Sequence, residues 1–126
     1  MTAKCILVID NELYIQEVVQ IALETIKNWR VVTASSGAEG LLKAAKEQPD
    51  VILLDMMMPD MDGATTFQKL QANPCTQAIP VLLLTAKVQT VDQQRYQTLG
   101  VQATIAKPFD PLQLPTQIAD VLGWQL

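Results

Sequence analysis

Five short apolar runs, separated by stretches with helical periodicity, constrain the fold of this chain more than any other feature. The runs cover residues 5–9, 31–34, 51–54, 81–84 and 103–106. Each run is too short for a helix and is bounded by polar residues, glycine or proline. In the intervals, apolar residues recur at spacings of three and four, which is typical of amphipathic helices. The pattern therefore predicts five β-strands that alternate with helices.

Helix signals fill the intervals between the runs. Ser36 with Glu39 forms a capping box, which marks a helix start. Further helices are predicted over residues 63–72 and 91–99, and a fifth follows the last strand. Pro115 lacks the N–H that a helix interior needs, so the fifth helix either begins there, with Pro115 in its first turn, or is kinked.

Strand–helix alternation of this kind predicts an α/β fold with a doubly wound, five-stranded parallel sheet and helices on both faces. Right-handed crossovers leave few other ways to bury strands that are apolar on both sides. Five strands suit the flavodoxin-like order 2-1-3-4-5, in which strands 1 and 3 are neighbours. With 126 residues, 49% of them hydrophobic, the chain is expected to form a single domain over residues 1–126.

Composition excludes several classes of function. The net charge is -4 and no cluster of Lys or Arg stands out, so nucleic acid binding is not expected. The apolar runs are too short for a signal peptide or a membrane span, which predicts a cytoplasmic protein without membrane association. The chain has no histidine, which excludes histidine-based catalytic triads, most zinc sites and a role as a phosphohistidine donor.

Polar side chains follow four of the predicted strands. Asp10 and Asn11 follow strand 1, Asp55 follows strand 3, Thr85 follows strand 4 and Lys107 follows strand 5. Ligands of open parallel sheets bind beyond the carboxyl ends of the strands, at the switch point between strands 1 and 3. Crowded carboxylates at this point predict a hard divalent cation such as Mg²⁺. A lysine and a hydroxyl suit the oxygens of a phosphoryl group, and Asp55 can then act as the nucleophile.

Four motifs, each at a strand end, then resemble one known family. ILVIDNE, LLDMMMPDMDG, LLLTA and AKPF, in this order, are similar to the receiver domain of bacterial two-component response regulators over essentially the whole chain. The resemblance implies that Asp55 is the phosphoacceptor and that Thr85 and Lys107 contact the phosphoryl group. It also implies a cis peptide bond between Lys107 and Pro108, which proline makes accessible.

The resemblance implies a Mg²⁺ site as well, with Met57 contributing its backbone carbonyl. The implied ligands are Asp10, Asn11, Asp55 and Met57. Asn11 departs from the family pattern because the second member of the acidic pair is normally charged. An amide oxygen can still coordinate the ion, but weaker Mg²⁺ binding and slower phosphorylation are expected. Glu12 is adjacent, yet a shift of one residue at a helix start is expected to turn its side chain in another direction.

Two other positions differ from the family. Thr104 stands where receiver domains usually carry an aromatic side chain whose rotation reports phosphorylation, so that signal is not expected in its usual form. Met57 and Lys87 stand at positions that tune access of water to the acyl phosphate, so an altered lifetime is expected.

The leading hypothesis is a stand-alone signalling switch, a phosphoprotein rather than an enzyme, which assists its own phosphorylation and dephosphorylation. A sensor histidine kinase or phosphotransfer protein supplies the phosphoryl group from another chain. A separate output protein reads the face formed by the fourth predicted helix, the fifth strand and the fifth helix, because the chain shows no effector segment. The candidate contacts on this face are Lys87, Val91, Arg95, Tyr96 and Phe109.

Other interpretations compete with this one. A protein-interaction module of the same fold, independent of phosphorylation, is motivated by Asn11 and Thr104. Asp60 to Thr65 resemble the DxDG-type nucleophile motif of haloacid-dehalogenase-like phosphatases, but Pro59 separates Asp60 from the strand, so the required geometry fails. A flavin carrier would need a phosphate-binding loop after strand 1, where this chain is acidic. Each polar residue alone could also be an ordinary solvated loop or cap residue.

Overall fold

The computed structural model of the protein describes residues 4–86, 94–95 and 98–125. The strands and helices bounded within them are, in chain order, β1 (Cys5–Ile9), α1 (Leu13–Lys27), β2 (Arg30–Ala34), α2 (Gly37–Glu47), β3 (Val51–Asp55), α3 (Gly63–Ala72), β4 (Val81–Thr85), β5 (Ala103–Ala106) and α4 (Leu114–Leu122). Residues 94–95 and 98–99 are also helical, in agreement with the helix predicted over 91–99. The rest of that predicted helix lies outside the described residues. Helix α4 is the fifth helix of the sequence prediction.

The five strands form one parallel sheet in the order β2-β1-β3-β4-β5, which confirms the predicted topology. β1 and β3 are neighbours, as the switch point requires. In the register of the sheet, Asp55 pairs with Leu84 and Thr85 pairs with Ala106. Since parallel strands end at the same edge, this register brings the polar residues after β1, β3, β4 and β5 to one rim.

Alternate side chains of the buried strands enter two different core clusters. Leu7, Ile52 and Leu83 pack with residues of α2 and α3 on one face of the sheet. Ile6 and Leu53 pack with residues of α1 and α4 on the other face. β1, β3 and β4 are buried along their whole length, which explains why their sequences are continuous apolar runs rather than alternating ones.

The starts of α2 and α4 can be compared with the sequence signals. Ser36 Oγ accepts a hydrogen bond from the Glu39 N–H at 3.1 Å, as the capping box predicts. The Glu39 carboxylate accepts from the N–H of Ser35 at 2.6 Å, one residue earlier than the standard return bond. α4 begins at Leu114 with Pro115 in its first turn, so the first of the two alternatives for this helix is correct. Among the described residues, no helix combines the length and the apolar character needed to cross a bilayer.

Candidate functional site

The carboxyl ends of the strands bring four predicted site residues together. Asp10 follows β1, Asp55 ends β3, Thr85 ends β4, and all three are buried. Lys107 follows β5, and its Nζ lies 2.8 Å from Asp10 Oδ2 and 3.1 Å from Asp55 Oδ1. The Lys107 N–H also donates to the Thr85 carbonyl oxygen at 3.0 Å, which ties the ends of β4 and β5 together. The peptide bond between Lys107 and Pro108 is cis, as the resemblance implied.

The loop after Asp55 is held by backbone contacts to α3. The Gly63 N–H donates to the Met56 carbonyl oxygen at 2.9 Å. A Cβ atom at Gly63 would lie 2.7 Å from the Asp55 carbonyl oxygen and 2.8 Å from Met56 Cα, closer than real Cβ contacts allow. Sequence reasoning assigned Gly63 only to the start of a helix. The sequence signal for this close approach was the glycine itself, since the first residue of a helix does not need to be glycine.

The loop after β1 is held by Gln16, a second residue that sequence reasoning missed. Gln16 lies on α1 and is buried. Its Nε2 donates to the Asp10 carbonyl oxygen at 2.6 Å and to Ser35 Oγ at 3.0 Å. The side chain therefore connects the segments that follow β1 and β2. A polar residue on the buried face of an amphipathic helix was the signal, because buried amides need partners.

Burial and neighbouring charges shift the pKa values of Asp55 and Lys107. Removal from water is the largest cause of a raised pKa at the Asp55 carboxyl, and the charge of Asp10 adds to it, while Lys107 and the Met57 N–H oppose it. Burial alone lowers the pKa of the Lys107 ammonium, but the hydrogen bonds and charges of Asp10 and Asp55 outweigh that effect and raise the pKa. Lys107 therefore stays charged and partly neutralises two buried carboxylates.

The remaining predicted metal ligands lie at the edge of the site. Asn11 is exposed, and Met57 is also exposed, while its N–H donates to Asp55 Oδ1 at 3.3 Å. The expectation for Glu12 was wrong: its Oε1 lies 3.6 Å from Lys107 Nζ, so its carboxylate faces the site. Met56 and Met58 are buried in the core cluster on the α2 and α3 side, whereas Met57 between them is exposed.

The proposed output face is described only in part. Arg95 is exposed and Phe109 is partly buried against the core cluster on the α1 and α4 side. Lys87, Val91 and Tyr96 lie outside the described residues. Thr104 is partly buried on β5. The contact roles of these residues stay predictions.

Replacing Asp55 by asparagine is expected to stabilise the metal-free protein at neutral pH. Because the pKa of Asp55 is higher in the folded protein than in the unfolded chain, the charged carboxylate costs stability above the folded-state pKa. That cost disappears as the pH falls through the folded-state pKa toward the ordinary value of 3.8. Urea unfolding of both proteins with a chelator, at several pH values, should show an advantage of the variant that shrinks in acid. An advantage that grows in acid would contradict this account.

Comparison with known proteins gives the chain a family. Residues 6–119 match the response regulator receiver domain family. The alkaline phosphatase synthesis transcriptional regulatory protein PhoP of Bacillus subtilis is 37% identical over 119 residues, which are 94% of this chain and 48% of PhoP. The probable transcriptional regulatory protein TcrX of Mycobacterium tuberculosis is 39% identical over 105 residues, 82% of this chain and 43% of TcrX. The chain thus spans about half the length of the curated relatives that it matches.

Solved structures agree with this match. The chemotaxis response regulator CheY4 of Vibrio cholerae superposes with a TM-score of 0.89 at 29% identity, covering 95% of this chain and 99% of CheY4. The receiver domain of the sensor histidine kinase PA1611 of Pseudomonas aeruginosa has a TM-score of 0.84 at 24% identity, covering 97% of this chain and 99% of that domain. In that structure a magnesium ion is coordinated in the active site cleft, and its likeness to this chain concerns the fold. The family match covers most of the sequence and the fold agrees with it, and the chain therefore belongs to the response regulator receiver domain family of two-component signalling.

Proposed function

We propose that this domain is a phosphorylation-dependent switch in which Asp55 accepts a phosphoryl group from a phosphohistidine of a partner kinase or phosphotransfer protein. The observation that carries the proposal is the position of Asp55, at the end of a buried strand with Lys107 Nζ 3.1 Å from its Oδ1. A carboxylate oxygen forms a bond to phosphorus while the bond from phosphorus to the donor's imidazole nitrogen breaks. The product is an acyl phosphate, and the ammonium of Lys107 balances charge on the phosphoryl oxygens.

The donor set supports Mg²⁺ as the cofactor. The buried groups that face the site, Asp10 and Asp55, offer oxygen atoms only, and their two charges exceed the single charge of Lys107. Among the described residues, no group of three or more aspartate, glutamate, cysteine or histidine side chains is placed to hold a metal ion. Mg²⁺ does not need such a group, because it usually binds one or two carboxylates, several waters and the phosphate oxygens of a substrate. We propose Asp10, Asn11, Asp55 and the Met57 carbonyl as the ligand positions, and the ion would supply positive charge to the phosphoryl group.

Replacing Lys107 by glutamine should change metal binding and phosphorylation in opposite directions. Lys107 Nζ contacts both carboxylates that the cation needs, so its charge competes with the ion. Its removal is expected to tighten Mg²⁺ binding on the order of tenfold, the effect of about 1.4 kcal/mol of relieved repulsion. Phosphorylation should nevertheless slow, because the phosphoryl oxygens lose their ammonium partner. Calorimetric Mg²⁺ titration and the rate of phosphorylation measure the two effects.

Lys43→Gln is the matched control for that experiment. Lys43 is a half-exposed lysine on α2 whose ion pair is with Glu39, so it should change neither quantity. Weaker Mg²⁺ binding by Lys107→Gln would contradict the competition between ammonium and metal.

We propose that a separate output protein binds the face formed by the fourth predicted helix, β5 and α4. Added charge on Asp55 would draw Lys107 and Thr85 inward, and the backbone hydrogen bond between these two residues couples the movement of β4 and β5. Arg95 and Phe109 are the described candidates for contact with a separate output protein. Residues 1–126 would form one receiver domain, and this domain would be a signalling domain rather than an enzyme.

Incubation with Mg²⁺ and acetyl phosphate, followed by intact-mass measurement, tests the proposal. The protein is expected to gain the mass of one phosphoryl group with Mg²⁺ and to gain little in the presence of a chelator. An unchanged mass with Mg²⁺ would overturn the proposed switch. It would favour a phosphorylation-independent interaction module, for which the uncharged Asn11 is the supporting observation.

A further inference from the structure

We infer that Gln16 is a positioning residue for the phosphorylation of Asp55, acting through the backbone of Asp10, an inference that rests on the proposed function. Gln16 lies in the first turn of α1, and only 6% of its surface is exposed. Its side-chain amide has two N–H donors. Nε2 donates to the Asp10 carbonyl oxygen at 2.6 Å and to Ser35 Oγ at 3.0 Å, so both donors are used on the segments that follow β1 and β2.

The backbone of Asp10 is held on both sides. Its N–H donates to the Ala34 carbonyl oxygen at 3.0 Å, and its carbonyl oxygen accepts from Gln16. The backbone N–H of Gln16 also donates to the Glu12 carbonyl oxygen at 3.2 Å. Gln16 therefore binds both ends of the segment 10–12, which links β1 to α1. Loss of its side-chain amide would free the peptide group between Asp10 and Asn11 to rotate.

The direction of the Asp10 side chain matters to the reaction because it contacts Lys107. Asp10 Oδ2 lies 2.8 Å from Lys107 Nζ, and the same ammonium lies 3.1 Å from Asp55 Oδ1. A displaced Asp10 would therefore displace the ammonium that balances charge on the phosphoryl oxygens. A misplacement near 1 Å can cost on the order of a hundredfold in rate. Since Gln16 is uncharged, its contribution is geometric rather than electrostatic.

Gln16→Met tests the inference, because methionine has nearly the same length as glutamine and no N–H donor. It is expected to slow phosphorylation by acetyl phosphate and Mg²⁺ on the order of tenfold to a hundredfold. Gln16→Asn keeps the amide on a shorter side chain that reaches less far toward the Asp10 carbonyl oxygen, and it should slow the reaction in the same direction. Urea unfolding of each variant confirms that the fold is retained under the conditions of the assay.

Thr76→Val is the matched control for the loss of a buried hydrogen bond. Thr76 is buried, and its Oγ1 donates to the Leu70 carbonyl oxygen at 2.7 Å. It precedes β4, at the edge of the sheet opposite to the site. Thr76→Val should lower the free energy of unfolding, as Gln16→Met does, and leave the phosphorylation rate close to normal. Ser35→Ala removes one of the two Gln16 partners and keeps the bond to Asp10, so its rate should also stay close to normal.

Hydrogen exchange of the Glu12 amide reports the position of Asp10 without metal or phosphodonor. The Glu12 N–H donates to Asp10 Oδ1 at 2.8 Å, so movement of the carboxylate exposes this amide to exchange. NMR measurement in chelator should show faster exchange of the Glu12 N–H in Gln16→Met than in Thr76→Val or the unaltered protein. Unchanged exchange in Gln16→Met would overturn the action of Gln16 through Asp10, even if phosphorylation slowed.

The rates separate failure of this inference from failure of the proposed function. If the unaltered protein is phosphorylated on Asp55 and Gln16→Met reacts as fast as Thr76→Val, the role of Gln16 is overturned and the proposed function stands. An equal loss of rate in Ser35→Ala and Gln16→Met would assign the effect to the link between the two loops and overturn the role of the Asp10 carbonyl. If the unaltered protein gains no phosphoryl group, the proposed function falls and the role of Gln16 falls with it.

Discussion

An Asp55→Asn variant should gain no phosphoryl group from acetyl phosphate under conditions in which the unaltered protein is modified. Asparagine has nearly the same shape as aspartate, so the buried strand end and its contact with Leu84 across the sheet should be kept. The amide lacks the nucleophilic carboxylate oxygen that must form the bond to phosphorus. The loss is expected to be complete, because no neighbouring acid can occupy the position that the end of β3 gives to residue 55.

Asp60→Asn is the control for this result. Asp60 is an exposed acid in the loop that follows β3, five residues after Asp55. The acids that pair with Lys107 are Asp10, Glu12 and Asp55. The Asp60→Asn variant should be phosphorylated at the normal rate. Intact-mass measurement in parallel distinguishes the two variants. An equal mass gain in Asp55→Asn and the unaltered protein would place the acceptor elsewhere and refute the assignment of Asp55.

The second large effect is expected from Gly63→Ala. The added Cβ would lie 2.7 Å from the Asp55 carbonyl oxygen and 2.8 Å from Met56 Cα. Both are backbone atoms, so no side-chain rotation can relieve the contact, and the backbone at Asp55 and Met56 must move. Overpacking of this kind typically costs about 1–3 kcal/mol of stability. A displacement near 1 Å at the nucleophile can cost on the order of a hundredfold in rate, so phosphorylation should slow by a comparable factor.

Gly37→Ala provides the comparison for Gly63→Ala. Gly37 is also a buried first residue of a helix, but its Cβ would meet the Thr66 Oγ1 side-chain atom at 2.5 Å. It should therefore lower the free energy of unfolding while leaving the rate of phosphorylation close to normal. Urea unfolding and phosphorylation kinetics measure both quantities. Equal rates for the two variants would show that Gly63 does not position Asp55.

The sheet was predictable because its three inner strands, β1, β3 and β4, are buried on both faces. β1, β3 and β4 must then be continuous apolar runs, and such runs are visible in a sequence. The predicted strands were one residue short at the start of β2 (Arg30) and at the ends of β3 (Asp55) and β4 (Thr85), because pairing with a neighbouring strand extends beyond the apolar run. The meeting of the polar residues followed from the rule that parallel strands share an edge.

Contacts made by loops could not be predicted in the same way. Gly63 is required by the close approach of α3 to the backbone after β3, and spacing along the chain contains no measure of that approach. Gln16 depends on where α1 crosses the segments after β1 and β2. Glu12 was assigned the wrong direction because helical geometry was applied one residue too early. Sequence patterns indicate which strands and helices lie next to each other. The contacts of Gly63, Gln16 and Glu12 depend on how closely those strands and helices approach, which the patterns do not give.

Mapping the phosphoryl group to a single residue tests the central claim most directly. After reaction with acetyl phosphate and Mg²⁺, reduction with borohydride converts a phosphorylated aspartate into homoserine, which peptide mass spectrometry locates. We expect homoserine at position 55 and at no other aspartate. Homoserine at position 10, 60 or 62, or its absence from a protein that has gained phosphoryl mass, would contradict an acyl phosphate on Asp55.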